Sequence, residues 1–135
     1  MGAWGTGHFE NDAALDWIAE LDELGEALAR EALRAIVDAA PDAYLDVDDC
    51  CAALAAAEII ASCRDGEVSP DAPDDVKAWI ADHPATFTLD DGALAHRAIV
   101  RVAAESELQE LWDEEAPNEE WHTRVDVLGT RLTRP

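Results

Sequence analysis

Apolar residues recur at helical spacing along almost the whole chain, and the two-residue alternation of a half-buried strand is nearly absent. Asn11 followed by Asp12 makes a good helix start, with a capping side chain and an acid in the first turn. Trp17, Ile18, Leu21, Leu24 and Leu28 then form one stripe. Gly25 interrupts the stripe and predicts a bend or a break. The pattern resumes through Leu33, Ile36 and Val37, and Pro41 closes it. The stretch DVDDCCAALAAAEIIASCRDG opens with acids suited to a helix N-terminus and closes on residues suited to a C-terminus. Between Cys50 and Cys63 only Glu58 and Ser62 are polar, which predicts a central helix buried on all sides. Its alanines would let neighbouring helices approach closely.

Residues 69–75 are rich in Pro and Asp and predict the start of a short helix packed through Val76, Trp79 and Ile80, with Pro84 stopping it. Thr88 and Asp91 have capping-box spacing ahead of a stripe of Leu94, Ala98, Ile99 and Val102. Beyond it, either Ser106 starts a new helix or the same helix continues through Leu108, Leu111 and Trp112. Pro117 and Asn118 open a last helix with the stripe Trp121, Val125, Leu128 and Leu132. The expected fold is all-α: a single domain over residues 1–135, built as a compact bundle of five or six helices around a central Ala-rich helix. The opening GAWGTG, whose glycines allow tight turns, is expected to pack on one end of the bundle through Trp4 and Phe9.

Charge narrows the functional classes. There are 31 acidic residues against 9 Lys and Arg, a net charge of −22. Phosphate backbones and anionic lipid surfaces are bound through Lys and Arg, so direct nucleic-acid and membrane binding are both disfavoured. The longest apolar run, residues 50–57, is too short to cross a bilayer, and the first residues lack a signal-peptide pattern. Cys50, Cys51 and Cys63 lie in one apolar stretch without a CxxC spacing and read as buried thiols of a reducing, cytoplasmic protein. The single Lys77, eight arginines and many alanines suggest a bacterial source. A basic protein partner is the expected kind of partner.

Glu58 is the sharpest chemical feature. A carboxylate within AAAEIIA needs a cation or hydrogen-bond donors, and Arg97 and Arg101, one turn apart on a later helix, or a Trp N–H, are the candidate partners. Such a group serves as a structural ion pair, a general acid or base, or a ligand anchor. No metal and no cofactor are predicted. Glu119 and His122 form one Glu-x-x-His motif, where a di-iron bundle site needs two. Neither His8, Glu10 and Asp12 nor Asp46, Asp48 and Asp49 have the spacing of a calcium loop. No nucleophile elbow and no phosphate-cradling loop is present, so no catalytic residue is predicted.

The opening GAWGTGHFENDAALDW resembles the start of the family known as domain of unknown function 4259, small and mainly bacterial proteins. Gly2, Trp4, Gly5, Phe9, Asn11, Asp12, Ala14, Asp16 and Trp17 carry the resemblance. The Ala-Ala-Glu run at residues 56–58 and SELQELW at residues 106–112 are also similar. His8 falls where that motif is variable. The resemblance extends over the chain and, the family having no assigned activity, implies no catalytic residues. The leading functional expectation is a non-enzymatic interaction or accessory protein acting through an acidic helical surface. One alternative is a ligand-binding or enzymatic bundle centred on Glu58. Another is an immunity or nucleic-acid-mimic protein, which needs Glu105, Glu107, Glu110, Asp113, Glu114 and Glu115 on one face.

Overall fold

The computed structural model describes residue 3 and residues 5–134. Gly2 and Trp4, and with them the expected packing of Trp4 on the bundle, lie outside the described residues. The fold is all-α, with eight helices among the described residues: α1 (Asp12–Ile18), α2 (Leu21–Leu24), α3 (Glu26–Val37), α4 (Val47–Asp65), α5 (Asp74–Asp82), α6 (Leu89–Ala104), α7 (Glu107–Trp112) and α8 (Glu119–Leu132). Among the described residues there is no strand, only an isolated bridge between Ala3 and Asn11.

The helices begin where side chains can satisfy orphan backbone N–H groups. Asn11 Oδ1 accepts from the Ala14 N–H at 2.8 Å. Asp46 accepts from the Asp49 N–H at 3.0 Å, and Asn118 from the Trp121 N–H at 3.0 Å. Thr88 and Asp91 close a reciprocal capping box. Ser106 settles the alternative left open by the sequence. Its hydroxyl donates to the Val102 carbonyl at 2.7 Å and accepts from the Gln109 N–H at 3.0 Å, so α6 ends and α7 begins there.

There are more helices than the five or six expected because the first stripe is cut twice. α1 ends at Ile18, and Gly25 separates α2 from α3 with φ 62° and ψ −143°, a conformation that strongly favours glycine. The stripe survives the cuts: Ile18, Leu21, Leu28, Leu33 and Ile36 are all buried.

Helix α4 is the element the others surround. From Cys50 to Cys63 every residue except Ala52 is buried, and α1, α3, α5, α6, α7 and α8 all pack on it. α6 lies against α3 and α8 as well. Its Gly92 meets the end of α8 so closely that a Cβ there would fall 2.6 Å from the Leu132 carbonyl oxygen. Two arginines fasten helix ends. Arg64 donates to the Leu132 and Arg134 carbonyls at 2.8 and 2.7 Å, and Arg101 donates to the Ile36 and Ala39 carbonyls at 2.8 and 2.7 Å. These cations meet the partially negative C-terminal ends of α8 and α3.

Candidate functional site

Glu58 lies midway along α4 and is 7% exposed. Its partner is Arg131 on α8, not either arginine expected from the sequence: Arg131 Nη1 donates to Glu58 Oε1 at 2.9 Å. Arg97 is exposed on α6, and Arg101 is engaged with the carbonyls that end α3. The reason lies in helix facing. Ala98, Ile99 and Val102 turn α6 inward, which leaves Arg97 outside, whereas Arg131 flanks the buried Leu128 and Leu132 on the side of α8 that meets α4.

Arg131 gathers a polar stripe on the otherwise apolar α4. Glu58, Ser62 and Asp65 stand four and three residues apart, on one helical face. Besides Glu58, Arg131 donates to both Asp65 carboxylate oxygens, at 2.9 and 3.1 Å, and to the Glu67 carbonyl at 2.6 Å. Only 11% of its side chain is exposed. The planar guanidinium suits this forked, several-partner contact.

His8 reaches the same place from the opening loop. A tight turn, Glu10 N–H to Gly7 carbonyl at 3.0 Å, carries it inward, and Glu10 Oε1 accepts back from the Gly7 N–H at 3.1 Å. A Cβ on Gly7 would collide with Asp71 Oδ2 and Glu10 Oε1, so the glycine is what allows the loop to close on the segment around Asp71. That segment is folded on itself by the Ser69 hydroxyl donating to Asp71 Oδ1. Among the described residues, Asp71 Oδ2 is buried without a hydrogen-bond partner, and so are both ring nitrogens of His8, a residue 7% exposed. The Arg124 carbonyl lies near the imidazole but does not reach hydrogen-bond geometry.

These groups wall one cleft of about 430 Å³. His8, Glu58 and Asp71 share it with Arg131 and, at the rim, Arg124. Val68, Pro70, Val127 and Leu128 supply apolar surface. The volume and the mixture of apolar wall with a few polar groups suit a small molecule. Burial pushes the His8 pKa below its ordinary 6.5, although the nearby carboxylates of Glu58 and Asp71 pull it upward. The ring is therefore neutral at pH 7, with one N–H donor and one acceptor nitrogen. On its other side a void of about 10 Å³, bounded by Cys51, Leu54, Trp112 and Trp121, is at the lower limit for one water molecule.

The remaining candidates are engaged elsewhere. His122 pairs with Asp113 Oδ2 at 2.9 Å. Burial would raise the Asp113 pKa, but the Asn118 N–H, the Gln109 amide and His122 outweigh it and hold the carboxyl down at about 2. Glu107 caps α4 by accepting from the Val47 N–H at 2.7 Å, and Glu110 accepts from the Tyr44 hydroxyl at 2.6 Å. Half of the six acids expected to form a docking face thus hold the molecule's own elements together. Burial pushes the thiols of Cys50, Cys51 and Cys63 up to about 11, 12 and 11. Among the described residues, no three His, Cys, Asp or Glu side chains converge to hold a metal ion, and no helix is long and apolar enough to cross a membrane.

Sequence reasoning reached Glu58 but set His8 aside as a variable position, and it did not single out Asp71, Arg124 or Arg131. The signal for Arg131 was present in the spacing of Glu58, Ser62 and Asp65, three polar residues on one face of an apolar helix that call for a cation opposite. No comparable periodic signal exists for His8 or Asp71, which lie in loops.

Compared with known protein families, residues 2–124 match the one described as "Domain of unknown function (DUF4259)". The match spans most of the chain, which belongs to that family. His8, Glu58, Asp71 and Arg124 fall within the matched stretch, and Arg131 lies beyond it. No curated protein and no solved structure matches the chain.

Proposed function

We propose that this member of the DUF4259 family binds a small molecule in the cleft walled by His8, Glu58 and Asp71. The observation that carries the reading is His8: a nine-tenths buried imidazole lines the cleft with neither nitrogen hydrogen-bonded among the described residues. A buried polar group left without a partner costs about 1–3 kcal/mol. Asp71 Oδ2 adds a second such group in the same wall. Two unsatisfied groups side by side are a poor way to build a core, and they fit a site whose hydrogen bonds are completed by a ligand. The Glu58–Arg131–Asp65 network gives that wall a fixed frame.

We also infer a cytoplasmic protein, a setting in which three buried free thiols remain reduced. An interaction role through the acidic surface draws its support from the net charge of −22. Mimicry of nucleic acid is weakened by Glu107, Glu110 and Asp113, which are bonded within the molecule.

A chemically unbiased fragment screen, read on the His8 ring carbons and protons by NMR, tests the binding reading. Fragments that bind are expected to shift the His8 ring signals and to lose that effect in Val127→Trp, which fills the cleft from its exposed rim. Hits that all map away from His8, with the ring signals unmoved, would overturn it.

A further inference from the structure

The hydrogen-bonding balance of the cleft identifies the chemistry of its occupant. The inference rests on the cleft being a ligand site, and it adds the class of ligand. Acceptors are in excess. Asp71 Oδ2 is buried and has no partner among the described residues. Glu58 gives one oxygen to Arg131, and its second has no hydrogen-bond partner among the described residues. Neutral His8 adds one acceptor nitrogen and one N–H donor, so acceptors still outnumber donors.

The cations, by contrast, are engaged. Arg131 is held by Glu58, by both oxygens of Asp65 and by the Glu67 carbonyl. Arg124 stands at the rim with its side chain 45% exposed, 3.7 Å from Glu120. An anionic ligand would find no buried cation free to receive it. It would also meet three lining carboxylates, Glu58, Glu67 and Asp71, against two arginines. A bare metal ion is not favoured either, because among the described residues no three His, Cys, Asp or Glu side chains are grouped to hold one. An ammonium needs fewer ligands than a metal ion and can be held between two carboxylates. The apolar wall of Val68, Pro70, Val127 and Leu128 offers a place for a short carbon chain beside it.

We propose that the cleft binds a small organic cation, a protonated primary amine on a short apolar body, with its ammonium between Asp71 and Glu58. An ammonium carries three donors and no acceptor, which suits the carboxylate oxygens of Asp71 and Glu58. The surrounding net charge of −22 also raises the local concentration of cations.

The test uses three probes that share one four-carbon chain: n-butylamine, butyrate and 1-butanol. Each is titrated to about 50 mM, the range in which weak millimolar binding is visible, into the isotopically labelled full chain at physiological salt. Butylamine is expected to shift the His8 ring and the Asp71 and Val127 amides at least tenfold more tightly than either analogue. Val127→Trp should abolish those shifts, and Asp71→Asn should weaken them at least tenfold. If butyrate or butanol binds the same residues as tightly, the amine proposal falls and the cleft reading stands. If none of the three moves the cleft signals, both fall. Butylamine shifts that spread over the acidic surface and persist in Val127→Trp would overturn the amine proposal as non-specific cation binding. Val127 is 56% exposed, so this variant keeps the test decisive even if Asp71→Asn does not fold.

Discussion

Replacing His8 with leucine removes two unpartnered polar nitrogens from a position that is 7% exposed and leaves an apolar side chain of similar bulk. Were the imidazole a satisfied part of the core, the change would break hydrogen bonds and destabilise the fold. With neither nitrogen paired, the substitution relieves a desolvation penalty of about 1–3 kcal/mol. Imperfect shape matching returns up to about 1.5 kcal/mol of that. The expected result at pH 7.5 is a variant more stable than the parent by about 1–2 kcal/mol in urea unfolding. For a domain of this size that raises the thermal midpoint by about 4 °C per kcal/mol.

The pH dependence supplies a second readout with a definite sign. The His8 pKa in the folded protein is below its ordinary 6.5, so below about pH 6.5 the unfolded chain binds a proton that the folded chain resists. The parent therefore loses stability as the pH falls through 6.5 towards the folded pKa, by at most about 1.4 kcal/mol per pH unit. His8→Leu lacks this component, while the other three histidines are common to both proteins. The stability gap should therefore widen between about pH 7.5 and 5.5. A His8→Leu protein destabilised by about 1 kcal/mol or more, with a gap that does not widen, would refute the reasoning. It would mean that water in the small void and the Arg124 carbonyl satisfy the ring, and that His8 is a core residue.

Arg131→Met should be the most damaging single change at the cleft, costing about 3–5 kcal/mol in denaturant unfolding, because it leaves the buried Glu58 and the half-buried Asp65 without their cation. Arg131→Lys should recover only part of that, since an ammonium cannot reproduce the forked contacts. Gly92→Ala should lower stability by about 1–3 kcal/mol despite alanine's better helix propensity, because the new Cβ would sit 2.6 Å from the Leu132 carbonyl oxygen and force α6 and α8 apart. The three cysteines, with thiols pushed up to about 11–12, should not react with a thiol reagent at pH 8 until the chain is denatured, and should then all react. A cysteine that reacts at once in the folded protein would contradict its burial.

What could be read from the sequence divides along a physical line. Caps and breakers act within a few residues, so Asn11, Thr88 with Asp91 and Asn118 were legible as helix starts, whereas Ser106 was one of two alternatives that only its hydrogen bonds decide. The burial of α4 was legible too, since a segment apolar on all sides has nowhere else to go. Periodicity reports which face of a helix turns inward but not which helix it meets. Arg97 and Arg101 were therefore reasonable partners for Glu58 on spacing alone, and Arg131 was found only through the packing of α8 on α4. Loops carry no period at all. His8 and Asp71 are brought together by a turn at Gly7 whose geometry depends on the segment it packs against.

The polar stripe of α4 argues that the cleft is more than a by-product of packing. Glu58, Ser62 and Asp65 interrupt the most buried helix of the molecule, and Arg131 is needed to neutralise them. Well-packed apolar residues in place of a buried ion pair are often neutral or stabilising by about 1–4 kcal/mol, so stability alone does not account for the stripe. Its geometric consequence is specific. Arg131 takes one oxygen of Glu58 and fixes the carboxylate in the cleft wall, beside a loop that delivers His8 and a segment that delivers Asp71. Three distant parts of the chain each place a side chain in the wall of the same cleft, and the buried polar atoms of His8 and Asp71 there have no hydrogen-bond partner among the described residues. Each arrangement is unfavourable for folding by itself, and their coincidence in one cleft is what a ligand would explain.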